Sequence, residues 1–231
     1  MWLDALADLL SRPRCAACAD LITARDHVLC ASCAASVERC PVSDSSWLSF
    51  AYYGGAIAQA VHHFKYGGQS HLARPLGHLL RGLCHDAQIR ADLVIPVPLH
   101  PTRLVARGYN QAALLGRQVA AQLGLPLCTG ALLRTVPTRT QAELDRAARL
   151  SNVAGAFAVY APARVRHCRV LLVDDVVTTG ATLAACSDAL LKAEVGSITC
   201  MVLARTLSEP APQRAVGHPR SFPDADPQRV I

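Results

Sequence analysis

Aromatic residues, lysine and long apolar runs are all scarce in this sequence of 231 residues. Aromatics make up only 5% of it, so the interior must be built mainly from Ala, Leu and Val, and a platform of stacked aromatic rings would be sparse. No run of about 18 uncharged apolar residues occurs, so we expect no membrane-spanning helix and no membrane insertion. The hydrophobic fraction of 52% excludes a collagen-like or wholly disordered chain.

The basic residues are almost all arginine. Only Lys65 and Lys192 among the 23 basic residues are lysine, and the formal net charge is +6. A G+C-rich genome would produce this bias. Arginine is also suited to bidentate contacts with phosphate, so a functional origin stays open. The positive charge permits an anionic partner without identifying one.

The N-terminal segment does not have the pattern of a signal peptide. Met1–Arg14 carries Asp4 and Asp8, lacks a basic leader and has only a short apolar stretch. We therefore expect a cytoplasmic protein. Thiols stay reduced in that compartment, so clustered cysteines are better explained as metal ligands than as disulfides.

Four of the ten cysteines form two C-x2-C pairs that are eleven residues apart: Cys15, Cys18, Cys30 and Cys33. Two such pairs supply four thiolates, the ligand set of a closed tetrahedral zinc site. The spacing predicts a structural Zn²⁺ ribbon that organises a segment too small for a core of its own. Four buried free thiols are the alternative, and Cys40 or His27 could replace one ligand.

From about Trp47 the sequence alternates apolar stretches with helical patterns, which is typical of a parallel sheet covered by helices on both faces. The predicted helices are Ala56–Tyr66, His71–Cys84, Tyr109–Leu123 and Thr182–Lys192; the predicted strands are Asp92–Pro98, Ala156–Tyr160, Arg169–Val173 and Ile198–Ala204. We expect three parts: a zinc-ribbon module over 1–45, an α/β domain over 46–207, and a tail over 208–231 whose five prolines predict disorder.

The segment Val170–Thr182 carries the strongest functional signal. Its buried strand delivers Asp174 and Asp175 to the carboxyl end, where parallel sheets bind ligands. A Thr-Thr-Gly-Ala-Thr turn then opens a helix whose free N–H groups and dipole suit a phosphate. A sugar phosphate reconciles the two features, because the turn would hold its phosphate and the carboxylates would accept hydrogen bonds from ribose hydroxyls.

This segment lacks the G-x4-G-K-[ST] and G-x-G-x-x-G patterns of two common nucleotide loops. It resembles the signature with which type I phosphoribosyltransferases bind phosphoribosyl pyrophosphate (PRPP). The resemblance implies that Asp174 and Asp175 are catalytic residues that hold the ribose hydroxyls, and that pyrophosphate is displaced from C1 of the ribose. It also implies Mg²⁺ bound together with PRPP, and a 5′-phosphate site made of Thr178, Thr179, Gly180, Ala181 and Thr182.

Four pieces of the sequence together resemble a narrower group, the ComF family of competence proteins. They are the four cysteines, Phe64-Lys65-Tyr66, Val94–Leu99 followed by Arg107–Gln111, and Gln141 with Leu144, Arg149 and Asn152. The resemblance spans about residues 10–206 and implies a zinc ribbon fused to a type I phosphoribosyltransferase fold, with a role in DNA uptake. Ser43 stands where family members often carry a partner for Cys40, which argues against a second metal centre.

The resemblance also implies candidate PRPP-binding residues outside the turn. Lys65 precedes two glycines and is either a phosphate contact or a surface lysine. Arg103 and Arg107 follow a strand at the position of the family's pyrophosphate loop; a solvated charge is favoured for Arg103, and both interpretations stay open for Arg107. Asn110 and Gln111 either orient substrate or cap the next helix, with capping slightly favoured.

The stretch Thr138–Asn152 is interpreted as a mobile loop that closes over PRPP. Arg146 and Arg149 would then reach the phosphates and help to exclude water. An exposed basic helix is the alternative. Arg149 belongs to the predicted PRPP-binding set together with Lys65 and Arg107.

Two functions are compatible with these features. The first is an enzyme that transfers ribosyl 5-phosphate and releases pyrophosphate, although the sequence does not identify the acceptor. The second is a non-catalytic adaptor of the DNA-uptake machinery that senses PRPP or binds single-stranded DNA. In a third interpretation, the zinc ribbon is a docking module for a helicase-like competence protein.

Overall fold

A parallel sheet with helices on both faces is the central element of the protein. The computed structural model describes residues 13–22, 28–42, 47–135 and 155–207. Its helices are α1 (Ala31–Ala35), α2 (Gly55–Tyr66), α3 (Ala73–Asp86), α4 (Pro101–Arg107), α5 (Gln111–Leu123) and α6 (Ala181–Lys192). Its strands are β1 (Leu48–Tyr52), β2 (Leu93–Pro96), β3 (Leu132–Arg134), β4 (Phe157–Val159), β5 (Arg169–Val177) and β6 (Ser197–Arg205). Short 3₁₀ turns lie at Ser70–Leu72 and Pro162–Arg164.

The parallel sheet has the strand order β1-β6-β5-β2. In β5, Leu172 lies opposite Ile95 of β2 on one side and opposite Cys200 of β6 on the other. Residues 170–173 of β5 are at most 1% exposed. A strand buried on both faces is expected where helices cover the sheet from both sides. The predicted α/β class, with a parallel sheet flanked by helices, is confirmed.

Each face of the sheet has its own hydrophobic core. On one face, α2, α3 and α5 pack against Leu171 and Val173 of β5. On the other face, α6 and the antiparallel pair β3–β4 pack against Val170 and Leu172. The helical side chains that are at most 1% exposed include Ile57, Phe64, Leu76, Leu80, Leu115, Leu183 and Leu190. Because side chains alternate along a strand, neighbouring residues at the end of β5 point to different faces.

The helix signals in the sequence agree with α5 and miss α4. The Asn110 side chain accepts a hydrogen bond from the first turn of α5, and Gly124 ends the helix with a φ of 66°. Asn110 therefore caps the helix. At α4, Pro101 occupies the first turn and the His100 ring accepts from the Thr102 N–H. In the described parts of the chain, no helix is both long and apolar enough to cross a membrane.

Residues 13–22 and 28–42, which we call the cysteine module, pack against α2 and β1. The side chains that the module contributes to the core of α2 are Ala16, Ala17, Ile22, Val28 and Leu29, each at most 8% exposed. Its last residues run antiparallel to β1, where the Tyr52 N–H donates to Glu38 O at 2.9 Å and the Cys40 N–H donates to Phe50 O at 3.2 Å. The module and the α/β domain thus share one core.

Candidate functional site

β5 carries two adjacent carboxylates close to its carboxyl end. The strand continues through both of them to Val177, four residues beyond its predicted end at Val173, because β6 pairs with it along this length. Asp175 is buried, with 6% exposure, and Asp174 is half-buried. The Asp175 N–H donates a hydrogen bond to Asp174 Oδ1 at 2.8 Å. The rigid strand therefore holds the two carboxylates in a defined place.

The turn that follows β5 is fitted tightly against an aromatic ring. Gly180 has a φ of 76°, a conformation that side chains with a Cβ rarely adopt. A Cβ at this position would lie 2.5 Å from Cη2 of Trp47. Only glycine satisfies both the backbone and the space here. The sequence pointed to Gly180 for close approach to an anion, but it did not reveal Trp47.

A small pocket beside Asp174 is lined by the turn and the start of α6. Its lining includes every residue from Val176 to Leu183, and hence all five residues predicted to hold a phosphate, Thr178–Thr182. The first N–H groups of a helix lack intrahelical partners and attract anions. One of them, the Ala181 N–H, makes only a long contact of 3.4 Å with Thr179 Oγ1. The predicted phosphate-binding residues are thus brought together around one depression.

Lys65, at the end of α2, forms an ion pair with the acid pair. Its Nζ lies 2.8 Å from Asp175 Oδ1, and its side chain is only 21% exposed. Burial is the largest single influence on the pKa of Lys65 and would lower it, but the charge of Asp175, its hydrogen bond to Lys65 and the charge of Asp174 together raise that pKa above its ordinary value. The sequence left a phosphate contact or a surface lysine open. The structure instead joins Lys65 to a predicted catalytic residue.

Asp174 has a strongly altered acidity. Burial of its carboxyl and the nearby charge of Asp175 raise its pKa to about 7. The charge of Lys65 and the hydrogen bond from the Asp175 N–H act in the opposite direction. A buried carboxyl with a strongly raised pKa is typical of functional sites. Near neutral pH, Asp174 can therefore carry a proton or a charge according to what binds beside it.

The two family motifs around Phe64 and Tyr109 interlock next to this ion pair. The Tyr109 hydroxyl donates to Phe64 O at 2.6 Å, and the two ring centres are 5.9 Å apart. Arg107 lies over the Tyr66 ring, 5.1 Å from its centre, and donates to Gln111 Oε1 at 2.8 Å. The two motifs are distant in sequence, so the contacts between them form only when the helices pack.

Arg134 on β3 is a second cation near the acid pair, and the sequence did not indicate it. Its guanidinium lies 5.4 Å from the centre of the Phe157 ring. Burial and the charge of Arg103 lower the pKa of Arg134, whereas its own charge opposes the rise in the pKa of Asp174. A single arginine in a three-residue strand has no local pattern that would reveal it.

Four thiols of the cysteine module meet at one point. The Sγ atoms within 4.8 Å of one another are those of Cys15, Cys18, Cys30 and Cys33. The Cys18–Cys30 distance is 3.7 Å, close to the sulfur–sulfur edge of about 3.8 Å that Zn–S bonds of about 2.3 Å give in a tetrahedron. A hydrogen bond with Ser32 lowers the pKa of Cys30 to about 6, whereas burial and a hydrogen bond with Cys30 raise the pKa of Cys33 to about 11. The donor set fits Zn²⁺.

Cys40 stands apart from this cluster. It is buried, burial raises the pKa of its thiol, and its neighbour is Arg205 rather than another cysteine. Among the residues that the structure describes, the four clustered cysteines are the only group of three or more His, Cys, Asp or Glu side chains placed closely enough to hold a metal ion. His27, Ser43, Gln141, Leu144, Arg146, Arg149 and Asn152, the loop 138–152 and the tail 208–231 lie outside the described residues.

Comparison with known proteins gives consistent matches over most of the chain. Residues 110–219 match the phosphoribosyl transferase domain family. "Competence protein F" of Haemophilus influenzae is 34% identical over 175 residues, which cover 72% of this chain and 76% of that protein. "DNA utilization protein YhgH" of Escherichia coli K12 is 30% identical over 200 residues, which cover 80% and 87%. Among solved structures, glutamine PRPP amidotransferase from B. subtilis matches with a TM-score of 0.40 and 20% identity, over 57% of this chain and 26% of that one.

Proposed function

Because the chain belongs to the ComF family of competence and DNA-utilization proteins and carries a phosphoribosyltransferase-type domain, we propose that it binds PRPP at the turn after β5. One observation carries the proposal: Asp174 and a glycine-containing helix start line one small pocket, and Asp175 follows Asp174 on the same strand. The helix N–H groups and the hydroxyls of residues 178–182 would hold the 5′-phosphate. Asp174 and Asp175 would accept hydrogen bonds from the ribose hydroxyls.

The charges of the site support a ligand of this kind. Two carboxylates repel a phosphate, but Lys65 balances Asp175 at 2.8 Å and so reduces the repulsion. Asp174 has a pKa of about 7, so it loses its proton readily when hydrogen bonds from the hydroxyls of a ligand stabilise the carboxylate. We propose Lys65, Arg107 and Arg149 as further residues that favour the phosphates of PRPP.

We further propose that the domain catalyses ribosyl 5-phosphate transfer. The bond from C1 of the ribose to pyrophosphate breaks, its electron pair leaves with pyrophosphate, and an acceptor nucleophile adds to C1 and loses a proton. Asp174 and Asp175 would position the ribose and stabilise the positive charge that develops on the ring. Mg²⁺ bound with PRPP would neutralise part of the leaving charge.

Titration calorimetry with PRPP and Mg²⁺ tests the binding. We expect the D174A/D175A double variant to bind about a hundredfold more weakly or worse, because hydrogen bonds to charged groups are lost. Asp188→Ala is the matched control, since Asp188 is an exposed acid on α6. Equal affinity of the double variant and the control would exclude this site. Pyrophosphate release in the presence of candidate acceptors then separates a transferase from a PRPP sensor.

A DNA-binding adaptor is the second candidate function, and one surface feature favours it. Tyr66 is 68% exposed, and Arg107 lies against its ring. An aromatic face beside a guanidinium is the kind of platform on which single-stranded nucleic acid stacks. Fluorescence titration with a labelled single strand at rising salt concentrations checks this candidate. Affinity that does not fall with salt, or that survives Tyr66→Ala, would remove it.

The cysteine module would hold Zn²⁺ and offers a surface for a helicase-like partner. Leu21 is 51% exposed on it. We propose Leu21→Asp as the test, because this change alters the surface and leaves the shared core intact; pull-down of the partner should be lost while PRPP binding is kept. We also propose a cytoplasmic location, because thiols stay reduced there and remain available to bind the metal.

A further inference from the structure

Helix α2 is attached to the cysteine module at both of its ends. At its start, the Ala56 N–H donates to Ser36 Oγ at 3.4 Å, so a residue of the module caps the first turn. At its end, His63 Nδ1 lies 3.3 Å from Ala16 O and donates to that carbonyl. Ala16 lies between the predicted metal ligands Cys15 and Cys18. The last turn of α2 is therefore tied to the loop that shapes the metal centre.

The contact between the module and α2 is also tightly packed. Ala16 and Ala17 are each 2% exposed, and they belong to the same core as Ile57 and Phe64 of α2, which are fully buried. Close-packed interiors do not absorb the shift of one wall without moving the facing side chains. A displacement of the loop that contains Ala16 would therefore displace the end of α2.

The end of α2 is where the proposed PRPP site begins. Lys65, two residues after His63, holds Asp175 at 2.8 Å. The same end of the helix is also held by the Tyr109 hydroxyl, which donates a hydrogen bond to Phe64 O. A continuous chain of contacts thus runs from the cysteine loop through His63 and Lys65 to the acid pair of β5.

We propose that a metal ion at the four cysteines fixes the last turn of α2 through the His63–Ala16 hydrogen bond and so keeps Lys65 on Asp175. A small cysteine module has little to hold its loops in place without its metal. Metal release would loosen the loop, free the end of α2 and leave Asp175 without its cation. Metal occupancy and ligand binding are then coupled, and the coupling acts equally in both directions.

The chain provides an internal probe of this coupling. Lys65 and Lys192 are its only lysines, and Lys192 is exposed on α6 whereas Lys65 is ion-paired and largely covered. Acylation of the amines, followed by peptide mass spectrometry, reports the accessibility of Lys65 relative to Lys192 in the same molecule. This readout requires neither PRPP nor any catalytic activity.

In the zinc-loaded full chain, Lys65 should react slowly relative to Lys192. The quantity measured is the ratio of the acylation rate of Lys65 to that of Lys192. Removal of the metal with a chelator should raise this ratio by about tenfold or more, because lowering the pKa of an amine by one unit already gives tenfold more free base at a fixed pH. Addition of Zn²⁺ should restore the slow reaction. A ratio that does not change between the folded metal-free and zinc-loaded chains would overturn the proposal.

A variant at His63 separates the effect of losing the hydrogen bond to Ala16 from the effect of losing the metal. His63→Leu should keep its full content of Zn²⁺ and still raise the Lys65 ratio, whereas His85→Leu should change nothing, because His85 is 91% exposed on α3. Where chelation unfolds the chain, as judged by circular dichroism, the zinc-loaded His63→Leu variant alone decides. A normal Lys65 ratio in that variant would contradict the proposed route.

The PRPP part of the inference rests on the function proposed above, and the two can fail separately. With a hydrogen bond lost, we expect the Kd for PRPP to rise two- to tenfold in His63→Leu, which corresponds to about 0.5–1.5 kcal/mol. No PRPP binding by the wild-type chain would refute the proposed function, and the lysine ratio would still decide the coupling. PRPP binding that is equal in wild type and His63→Leu would refute only the link to the ligand.

Discussion

Single residues at the turn decide whether the site can form. Gly180 combines a φ of 76° with the Trp47 ring against its Cα. Gly180→Ala should lower the free energy of unfolding by about 1–3 kcal/mol, because it adds both backbone strain and a steric clash. Urea unfolding measures the loss, and calorimetry should show weaker PRPP binding.

Two controls separate the causes at Gly180. Gly124 has a φ of 66° with open space around it, so Gly124→Ala reports backbone strain alone. Gly82 lies inside α3 with open space, so Gly82→Ala should be neutral or stabilise by up to about 1 kcal/mol. A Gly180→Ala loss no larger than that of Gly124→Ala would exclude a role for Trp47.

Asp174 should give the protein a measurable pH dependence. Its folded pKa of about 7 lies above the ordinary 3.8, so the folded state binds more protons than the unfolded state between these values. Its contribution to stability is therefore fully present below about pH 4 and is lost as the pH rises through about 7. Asp174→Asn should stabilise the chain at pH 8, on the order of 2 kcal/mol, and change little at pH 4.

Urea unfolding of wild type and Asp174→Asn across this pH range measures the effect. Asp188→Asn removes an exposed acid from α6 and serves as the control, with no change expected at either end of the range. Parallel pH profiles for wild type and Asp174→Asn would mean that burial does not raise the Asp174 pKa.

At the scale of secondary-structure elements, one hydrogen bond connects the end of α2 to the residues before α5. The Tyr109 hydroxyl, two residues before α5, donates to a carbonyl in the last turn of α2, Phe64 O, at 2.6 Å. Carbonyls at a helix end have no partner within the helix, so this bond satisfies a group that is otherwise orphaned. Tyr109→Phe should cost about 0.5–1.5 kcal/mol of stability and weaken PRPP binding, because Lys65 is on the same turn.

Thermal unfolding and calorimetry check the Tyr109→Phe variant. Tyr160→Phe is the matched control, because Tyr160 is 76% exposed, and it should leave both measurements unchanged. If Tyr109→Phe loses stability but binds PRPP normally, the hydroxyl braces the helices without positioning Lys65.

At the scale of the whole molecule, the cysteine module is part of the main core. Removal of residues 1–42 would strip Ala16, Ala17 and Leu29 from the apolar face of α2. We expect the truncated chain to lose about 3 kcal/mol or more of stability, or to aggregate, because that apolar face becomes exposed. Thermal unfolding and size-exclusion chromatography measure this. Removal of residues 208–231 is the control and should not lower the Tm.

A truncated chain with the wild-type Tm would mean that the module adds nothing to the stability of the α/β domain. The boundary at 45 rests on the cysteine spacing, which predicts a metal-organised segment too small for a core of its own, and spacing carries no information about what that segment packs against. Its buried residues, such as Ile22 and Leu29, become recognisable as core only when α2 lies beside them.

Local patterns were enough for the elements whose signals are contiguous. The apolar run before Asp174, the cap at Asn110 and the glycine after Leu123 are signals within a few residues of the structure they specify, and β5 and α5 follow from them. The strand β1 and the helix α4 were missed, because five mixed residues in β1 and seven in α4 have too little periodicity to stand out. Pairing with β6 makes β1 a strand.

The sequence by itself determined the strand, acid pair, turn and helix of the phosphate-binding segment and the four-cysteine set, because each depends on residue types at short, regular spacing. Only the tertiary structure decided that Lys65 pairs with Asp175, that Trp47 closes on Gly180, that Arg134 comes near Asp174 and that His63 reaches Ala16. These contacts join residues far apart in the chain, and they exist because helices and the cysteine module must bury their apolar faces against one sheet. That packing turns two separate motifs into one connected structure.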